Sequence, residues 1–470
     1  MADIHTQSAT ALGRAMDEGQ ISAPEIMAAY LDRIERFNPK INAIVALRPR
    51  AELMAEAEAA SRGPRKSWLH GLPFAIKDLQ NTKGLRTTMG SPLFADHVPT
   101  EDDLLPARLR AAGAIIIGKT NTPELGLGSN TFNPVYGATL NPYNTAHTVG
   151  GSSGGAAAAL AMRMLPIADG SDMMGSLRNP AAFCNVYGFR PSWGLVPSSP
   201  AGDVFLHQLS TDGPMGRSPS DIAALLDVLA GPDARQPNAR SQAAPFAPLT
   251  PEAAPKRIGW LGDWGGAFTM APGIMAQCEA GLAAFAALGH EVETVAPPFP
   301  ADAIWDSWTT LRSYAIAAAQ HAAYRDPAQR AQMKTALIWE IERGLGLGAM
   351  DIARASALAA DWQRALVALM GRFDALTLPS AQVWPFEIGV EYPTEIAGVQ
   401  MDTYHRWMQA VIPVSLLGLP ALALPAGFGA KGLPMGFQLF GLRGDDQGLL
   451  ALGAAYHQAV DWPNQMPPVE

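Results

Sequence analysis

Hydrophobic residues near the N-terminus recur with helical spacing and follow a helix start signal. Ser22 precedes Pro24 and Glu25, a combination that forms a capping box with an early-turn proline. The apolar positions that then share one helical face are Ile26, Tyr30, Leu31 and Ile34. This pattern predicts an amphipathic helix.

Short apolar runs with strand character alternate with helical segments farther along the chain. In the run 71–78, Phe74 and Ile76 face one side and Lys77 the other, which predicts a strand that ends at Lys77. The other predicted strands are 114–118, 165–169, 257–261, 375–378 and 421–424, and the predicted helices include 107–112 and 154–164. The alternation is typical of an α/β fold with helices on both faces of a sheet.

We interpret residues 1–470 as one domain. Residues 65–230 hold the motifs described below, whereas residues 231–256 are rich in Pro, Ala and polar residues and are expected to form a surface loop. The helical period dominates residues 304–373, a region that we expect to shape a pocket. Trp305 and Trp384 are candidate pocket residues, although tryptophans more often belong to a core.

Composition and charge exclude several classes of protein. With 48% hydrophobic and 16% charged residues, the 470-residue chain has enough apolar material for a large core and is not a disordered chain. A net charge of -9 without a basic run argues against a nucleic-acid partner. Residues 156–165 and 413–428 are the most apolar stretches, but Arg163 or repeated Pro and Gly interrupt them. Neither reaches the ~20 residues of a membrane span.

The chain contains two cysteines, Cys184 and Cys278, and neither has a metal-type neighbour at short spacing. We therefore expect no disulfide framework and no zinc or other metal site. The N-terminus, residues 1–5, lacks the basic and apolar regions of a secretory signal. These features favour a cytoplasmic location.

Two glycine-rich segments carry serines, residues 150–155 and 170–176. Glycine permits sharp turns that can present a serine as a nucleophile. Residues 150–154 alone match the G-x-S-x-G pattern of a nucleophile elbow, in which Ser152 would use an acid and a downstream histidine. The pattern has low specificity in a chain with 45 glycines. The candidate histidines, none of which lies in a distinctive loop, are His290, His321, His405 and His457.

Lys77 is a different candidate base. Burial disfavours a charged amine and lowers its pKa from ~10.4 toward the range where neutral lysine accepts a proton. The alternative is a surface lysine paired with Asp78. The residues alone leave both interpretations open.

An ordered set of motifs in this chain resembles the amidase signature family. The matching segments, which together extend over roughly residues 10–460, are 118–124, 141–142, 150–155, 170–181, 212–218, 418–421 and 432–439. The set is far more specific than one glycine motif. The resemblance implies a single large mixed β-sheet flanked by helices on both faces, with a helical cap-like region.

The resemblance also implies three catalytic residues. Lys77 matches the family's lysine, Ser152 its bridging serine and Ser176 its nucleophile, with spacings of 75 and 24 residues. In the implied mechanism, neutral Lys77 takes a proton from Ser152, and Ser152 takes one from Ser176. Ser176 then attacks an amide carbonyl to form an acyl-enzyme. A cis peptide at Ser152 is implied, and no metal or organic cofactor is expected.

Other residues are expected to support this chemistry. The backbone N–H groups implied as the oxyanion hole belong to Met173, Met174, Gly175 and Ser176. Met174 stands where the family usually has glycine, so it either takes an ordinary backbone conformation or narrows the pocket.

Two further groups of residues complete the predicted site. Ser153 is expected to support the serine loop, and Asp172 with Arg178 to form an ion pair that holds the nucleophile turn, with a solvated pair as the alternative. Gly126 and Gly128, in the segment 126–132, are candidate residues of the acyl side of the pocket.

The resulting hypothesis is an amide hydrolase acting on a small-molecule carboxamide. Aryl amides and anilides suit the aromatic and Met-rich composition, and esters or carbamates are possible side substrates for the same acyl-enzyme chemistry. One alternative is a subunit of a glutamine-dependent amidotransferase, and another is a non-catalytic binding protein of the same fold. We expect no nucleic-acid or membrane partner, and a homodimer is left open.

Overall fold

The computed structural model of the chain describes residues 3–199, 203–206, 208–242 and 244–468. The α-helices are α1 (Ala9–Asp17), α2 (Ala23–Ile41), α3 (Arg50–Arg62), α4 (Leu104–Ala111), α5 (Gly154–Ala161), α6 (Arg178–Phe183), α7 (Pro219–Leu229), α8 (Ile274–Ala287), α9 (Ala301–Arg325), α10 (Pro327–Arg330), α11 (Thr335–Leu345), α12 (Ala349–Met370), α13 (Ile412–Leu416) and α14 (Asp446–Ala459). Short 3-10 helices are Ile4–Thr6, Pro92–Phe94, Glu124–Gly126, Arg406–Val411 and Trp462–Asn464.

The strands belong to two main sheets and three small hairpin-like pairs. They are β1 (Ile44–Val45), β2 (Pro73–Lys77), β3 (Ile115–Thr120), β4 (Phe132–Asn133), β5 (Gly137–Ala138), β6 (Leu140–Asn141), β7 (Asn144–Thr148), β8 (Ala168–Asp172), β9 (Tyr187–Arg190), β10 (Thr211–Gly216), β11 (Arg257–Trp260), β12 (Glu291–Thr294), β13 (Ala375–Pro379), β14 (Glu395–Ile396), β15 (Val399–Gln400), β16 (Ala421–Phe428) and β17 (Pro434–Phe440).

The largest sheet has eight strands in the order β12-β11-β13-β17-β16-β9-β10-β8. The pairs at the β12 end are parallel and the pairs from β13 to β8 are antiparallel, so the predicted mixed sheet is confirmed. Helices cover both faces. α6 approaches β17 at Gly436 and α8 approaches it at Phe437, and successive strand residues point to opposite faces.

A three-stranded sheet, β1-β3-β2, lies beside the β8 edge of the large sheet. Strand β2 is buried along its whole length and ends at Lys77, as predicted. The backbone N–H of Lys77 donates to Oδ1 of Asp169 on β8 at 3.0 Å. This bond joins the two sheets at the position where the lysine side chain begins.

The N-terminal helix prediction is confirmed, because α2 begins with a capping box in which Ser22 and Glu25 exchange hydrogen bonds. Two boundaries differ from the sequence prediction. The helix predicted at 154–164 ends at Ala161, because Arg163 takes a left-handed φ of 55°. The strand predicted at 165–169 is β8 at 168–172, where pairing with β10 fixes it.

The structure describes the helical region predicted at 304–373 and, apart from residue 243, the loop predicted at 231–256. Between α7 and β11, the described residues form no helix or strand. The region 304–373 contains most of α9 together with α10, α11 and α12. Within the described parts of the chain, no helix has the length and apolarity needed to cross a bilayer.

Helix α5 is buried on all sides and consists of Gly, Ala and one Leu. Its first turn lies directly against neighbouring chain. A Cβ on Gly155 would lie 2.3 Å from the backbone nitrogen of Asn121, and a Cβ on Gly154 would lie 2.1 Å from the Thr131 hydroxyl. Because only glycine fits, the start of the helix is held close to the end of β3. This contact fixes the position of Ser152 and Ser153, which immediately precede the helix.

We expect Gly155→Ala to destabilise the protein by about 1–3 kcal/mol, because the new methyl group overlaps a backbone nitrogen that cannot move freely. Thermal and urea denaturation of the variant measure this loss. The matched control is Gly448→Ala in α14, which is exposed and has no atom within 4 Å of the added Cβ. That variant should be neutral or slightly stabilised. Equal effects at the two positions would contradict the packing argument.

Candidate active site

The side-chain nitrogen of Lys77 lies among three serine hydroxyls. Its Nζ is 2.8 Å from Oγ of Ser152, 2.9 Å from Oγ of Ser153 and 2.9 Å from Oγ of Ser171. Ser152 and Ser153 belong to the first glycine-rich segment, whereas Ser171 belongs to the second. The lysine at the end of β2 therefore connects the two segments that the sequence marked as important.

Lys77 is 1% exposed, and burial lowers its pKa to about 7 although Asp169, Asp212 and Asp172 act in the opposite direction. This direction is the one that the sequence analysis expected for a buried lysine. The alternative of a surface pair with Asp78 is wrong. The carboxylate of Asp78 is buried and accepts hydrogen bonds from the N–H and hydroxyl of Thr88.

Two of the carboxylates near Lys77 were not identified as site residues from the sequence. Burial raises the pKa of Asp169 to about 6 and the pKa of Asp212 to about 7. Asp169 accepts the backbone N–H of Lys77, and Asp212 accepts a hydrogen bond from Nε2 of Gln80 at 3.0 Å. Asp212 belongs to a matched family motif, which was a signal for its importance but not for its position. Burial therefore shifts the pKa of the lysine and the pKa values of both carboxylates toward one another.

The peptide bond between Gly151 and Ser152 is cis, as the resemblance implied. Two hydroxyls from the predicted segment 126–132 hold this loop, a role that the sequence did not indicate. Ser129 donates to the carbonyl of Gly151 at 2.6 Å, and Thr131 donates to the carbonyl of Gly150 at 2.7 Å. Ser152 is consequently presented from a segment whose backbone carbonyls are bonded to a neighbouring loop.

The turn that carries Ser176 is built around the carboxylate of Asp172. Its Oδ1 accepts the backbone N–H of Gly175 at 2.9 Å, and its Oδ2 accepts that of Leu177 at 3.1 Å. These two donors flank the serine on either side. Gly175 has a φ of 82°, a conformation that favours glycine.

The geometry corrects one predicted oxyanion donor. The N–H of Gly175 is already engaged by Asp172, so it is not available to a substrate oxygen. The N–H groups of Met173, Met174 and Ser176 have no acceptor among the residues that the structure describes. These three N–H groups remain candidate donors to the substrate oxyanion.

Asp172 and Arg178 form a buried pair, with Nη2 and Oδ1 2.9 Å apart and both side chains inaccessible to solvent. The alternative of a solvated pair is therefore wrong. Arg190, which the sequence did not indicate, also contacts the backbone carbonyl and Oδ1 of Asp172. Burial by itself raises the pKa of Asp172, but the two guanidinium groups outweigh burial and hold that pKa far below its usual value. Asp172 is therefore a permanent anion that anchors the serine turn.

Ser152 and Ser176 open onto one cavity of about 120 Å³. Its remaining lining residues are Leu79, Leu125, Gly126, Leu127, Gly128, Ser171, Met173, Met174, Ser210, Arg312, Ile316 and Met408. The predicted pocket positions Gly126, Gly128 and Met174 thus lie around the serines. Ser210, Arg312 and Met408 were missed because they come from distant parts of the chain.

Met174 does not have a positive φ, so its backbone takes a conformation that is ordinary for a residue with a side chain. Its side chain is buried in the cavity wall. Both outcomes that the sequence offered for this position therefore hold. The residue avoids the strained conformation and also reduces the space beside Ser176.

The two predicted tryptophans lie outside this cavity. Trp305 packs edge-to-face on His405, with ring centroids 5.2 Å apart, and is part of the core. Trp384 donates from Nε1 to the carbonyl of Pro272 and lines a separate cavity of about 520 Å³ with His147. The prediction that they form the pocket was wrong, because both rings are used in packing elsewhere.

No described histidine lines the serine cavity. Among the candidate histidines, His405 is buried, and burial lowers its pKa to about 3. The group in contact with Ser152 is an amine, which disfavours the interpretation of residues 150–154 as a histidine-dependent elbow. In the described residues, there is also no cluster of His, Cys, Asp and Glu arranged to hold a metal ion.

Comparisons with known proteins identify the family of this chain. A sequence model of the amidase family matches residues 25–450. The chain is 32% identical to an acylamidase of Rhodococcus erythropolis, with 99% of this chain and 98% of that protein covered. It is 34% identical to one subunit of the glutamyl-tRNA(Gln) amidotransferase of Synechococcus sp. (strain CC9605), with 97% of each covered. A bacterial aryl acylamidase of the amidase signature family has a similar structure, with a TM-score of 0.90, 28% identity and 98% of each chain covered.

The fold and the relatives define an enzyme that hydrolyses amide C–N bonds. The chain belongs to the amidase signature family. The predictions of family, fold and amide hydrolysis are confirmed.

The lowered pKa of Lys77 makes folding stability depend on pH. Between pH 7 and 10.5 the unfolded chain binds more protons at this lysine than the folded chain, so stability rises with pH. We expect the wild type to gain roughly 1–2 kcal/mol relative to Lys77→Met between pH 7 and pH 9. Urea denaturation of both proteins at the two pH values measures this difference. A difference that does not change with pH would show that Lys77 keeps an ordinary pKa in the folded state.

Proposed function

We propose that this amidase acts through an acyl-enzyme on Ser176, with Ser152 as the proton relay and Lys77 as the base. The observation that carries the proposal is the 2.8 Å contact between Nζ of Lys77 and Oγ of Ser152 at the cavity that also holds Ser176. A lysine with a pKa of about 7 is neutral in a substantial fraction of molecules near neutral pH. No metal or organic cofactor takes part in these steps.

The proton relay follows from the donors and acceptors around the lysine. A neutral amine has two N–H groups and one lone pair, so it can donate to two of its three serine neighbours and accept a proton from the third. We assign the lone pair to Ser152. As Ser152 gives its proton to Lys77, its oxygen takes the proton of Ser176, and Oγ of Ser176 attacks the amide carbonyl carbon.

The tetrahedral intermediate then collapses in the opposite direction. The carbonyl oxygen carries a negative charge, and we assign its stabilisation to the N–H groups of Met173, Met174 and Ser176. The C–N bond breaks as the relay returns a proton to the leaving nitrogen, and the amine departs. A water molecule attacks the acyl-enzyme by the same relay and releases the carboxylic acid.

The size of the cavity restricts the acyl group. At about 120 Å³ it is well below the roughly 300–1,000 Å³ of common small-molecule pockets. We therefore infer that the cavity holds a short acyl group and that the amine lies toward its mouth. An anilide fits this division, and the acylamidase and aryl acylamidase relatives support it. Esters and carbamates are side substrates for the same acyl-enzyme chemistry.

A role in a glutamine-dependent amidotransferase is the second candidate, because a component of one such enzyme is 34% identical to the chain. Free glutamine is a zwitterion that needs partners for both of its charges. Among the described cavity residues the charged one is Arg312, and Glu340 already pairs with it. This lining favours neutral amides. A non-catalytic role is disfavoured because Lys77, Ser152 and Ser176 are all present and buried together.

Location and assembly are further proposals. The low cysteine content supports a cytoplasmic location, and both cysteines are free and buried. Light scattering of the purified protein tests the homodimer that the sequence left open.

The nucleophile assignment predicts which serine is labelled by a serine-directed phosphonate. Mass spectrometry of the wild type should locate the adduct on Ser176, and Ser176→Ala should lose both the adduct and at least ~1,000-fold of its acyl anilide hydrolysis. Lys77→Ala should show a similar loss of hydrolysis. The control, Ser356→Ala, alters an exposed serine on α12 and should behave as the wild type. An adduct on Ser152, or full activity of Ser176→Ala, would overturn the assignment.

The base assignment predicts a pH dependence. Because the neutral amine is the reactive form, kcat/KM should fall as the pH decreases through about 7. The apparent pKa belongs to the coupled group of Lys77, Asp169 and Asp212 rather than to one residue. Steady-state kinetics from pH 5 to 9 with a neutral anilide measure it. A flat profile across this range would be inconsistent with lysine as the base.

A further inference from the structure

Arg312 is a buried cation in the wall of the serine cavity. It extends from α9, is 4% exposed and lies beside Met173. Its Nε donates to Oε1 of Glu340 at 2.7 Å, and its Nη2 donates to the hydroxyl of Tyr404 at 2.9 Å. Its Nη1 contacts Sδ of Met173 at 3.1 Å. The proton relay described above does not use this residue.

Nη1 is the part of Arg312 with unused capacity. A guanidinium carries five N–H donors, whereas a thioether sulfur is a weak acceptor. Among the described residues, Met173 is the one partner of Nη1. A substrate oxygen would make a stronger, charge-assisted hydrogen bond there than the sulfur does. The cavity thus offers one charged donor for a polar substrate atom, in addition to the serine hydroxyls that line it.

The surroundings of Arg312 decide which kind of oxygen fits. Glu340 is fully buried, and its oxygens accept from Arg312, Tyr404 and Ser313, so it already balances the guanidinium charge. His405 lies beside Glu340 and stays neutral, because burial lowers its pKa to about 3. A second carboxylate would therefore be buried with no cation of its own, which is costly. A neutral carbonyl adds no charge.

Two other cations near this network are occupied. Arg343 bonds the hydroxyls of Ser313 and Thr309 from a partly exposed position. Lys334 donates to the carbonyl of Leu127 and interacts with Glu124 and Glu391. Neither one lines the serine cavity. The charge balance at Arg312 is therefore set chiefly by Glu340.

We propose that Arg312 determines specificity by binding a neutral carbonyl oxygen on the substrate's acyl group, and that Glu340 makes the same position reject a carboxylate. This inference rests on the proposed function. We assign the Arg312 contact to the acyl group because the acyl group stays on Ser176 after the amine leaves. An enclosed cavity suits the part of the substrate that stays bound. The preferred substrates are short acyl amides with a second, uncharged carbonyl a few bonds from the scissile one.

Three 4-nitroanilides that differ at the distal end of the acyl group test this assignment. They carry butyryl, 3-carbamoylpropionyl and 3-carboxypropionyl groups, which are similar in length. For the wild type, kcat/KM should be about 10-fold or more higher for the carbamoyl compound than for the butyryl compound, as expected for a hydrogen bond to a charged group. The carboxyl compound should be the poorest. A wild type that prefers the carboxyl compound would overturn the proposal.

The decisive variant is Glu340→Gln, which retains hydrogen-bonding capacity but removes the compensating charge. Arg312 would then be an uncompensated cation, so the ratio of carboxyl to carbamoyl hydrolysis should rise by about 10-fold or more. The matched control is Glu342→Gln on the exposed face of α11, which should leave this ratio at the wild-type value. An unchanged ratio in folded Glu340→Gln would overturn the assignment of Arg312.

A second variant keeps the test open if Glu340→Gln fails to fold. Met173→Leu removes the sulfur contact of Nη1 and leaves the buried ion pair intact, so the carbamoyl-to-butyryl ratio should rise. A ratio that stays constant would count against the proposal. If the wild type hydrolyses none of the three anilides, the proposed function would be overturned, and this inference with it. If the wild type hydrolyses the anilides but its kcat/KM values do not depend on the charge of the acyl group, the inference alone would be overturned.

Discussion

The burial of one lysine amine at the junction of two sheets is the constraint on which the site depends. Lys77 ends β2, and its own N–H holds Asp169 on the neighbouring edge strand β8. Its Nζ therefore emerges where the two glycine-rich segments meet, away from water. Desolvation disfavours the charged amine, and the nearby carboxylates limit the fall in its pKa to about 7. The base that we propose for this amidase depends on this balance.

The packing around the lysine explains why small residues dominate this part of the chain. Helix α5 lies against the backbone at Asn121 with no space for a side chain at Gly155. That approach brings Ser152 and Ser153 to the amine. On the opposite side, Asp172 fixes the turn of Ser176 through two backbone N–H groups, and Arg178 and Arg190 keep Asp172 ionised. One half of the site is held by close packing and the other half by buried charge.

The cavity wall divides the labour differently from the triad. The residues that we propose for the reaction lie within 77–176, whereas Arg312 and Met408 come from later parts of the chain and contribute to the cavity wall. Under the proposed mechanism, substitutions on α9 can change substrate preference without altering the residues of the proton relay. In the specificity that we propose, the buried Glu340 behind Arg312 extends this control to the charge of the acyl group.

The sequence by itself determined the elements with strong local signals and the residues within motifs. The capping box of α2, the strand ending at Lys77 and the serine segments could all be read from residue patterns because backbone geometry and side-chain period are local properties. The pairing of Lys77 with three serines, the commitment of the Gly175 N–H to Asp172, and the roles of Arg190, Asp169 and Arg312 were decided by the tertiary structure. Their effects depend on desolvation and on contacts between residues far apart in the chain. Trp305 and Trp384 were assigned to the wrong place for the same reason. The number of aromatic residues in a chain does not show which rings pack in the core or against other segments.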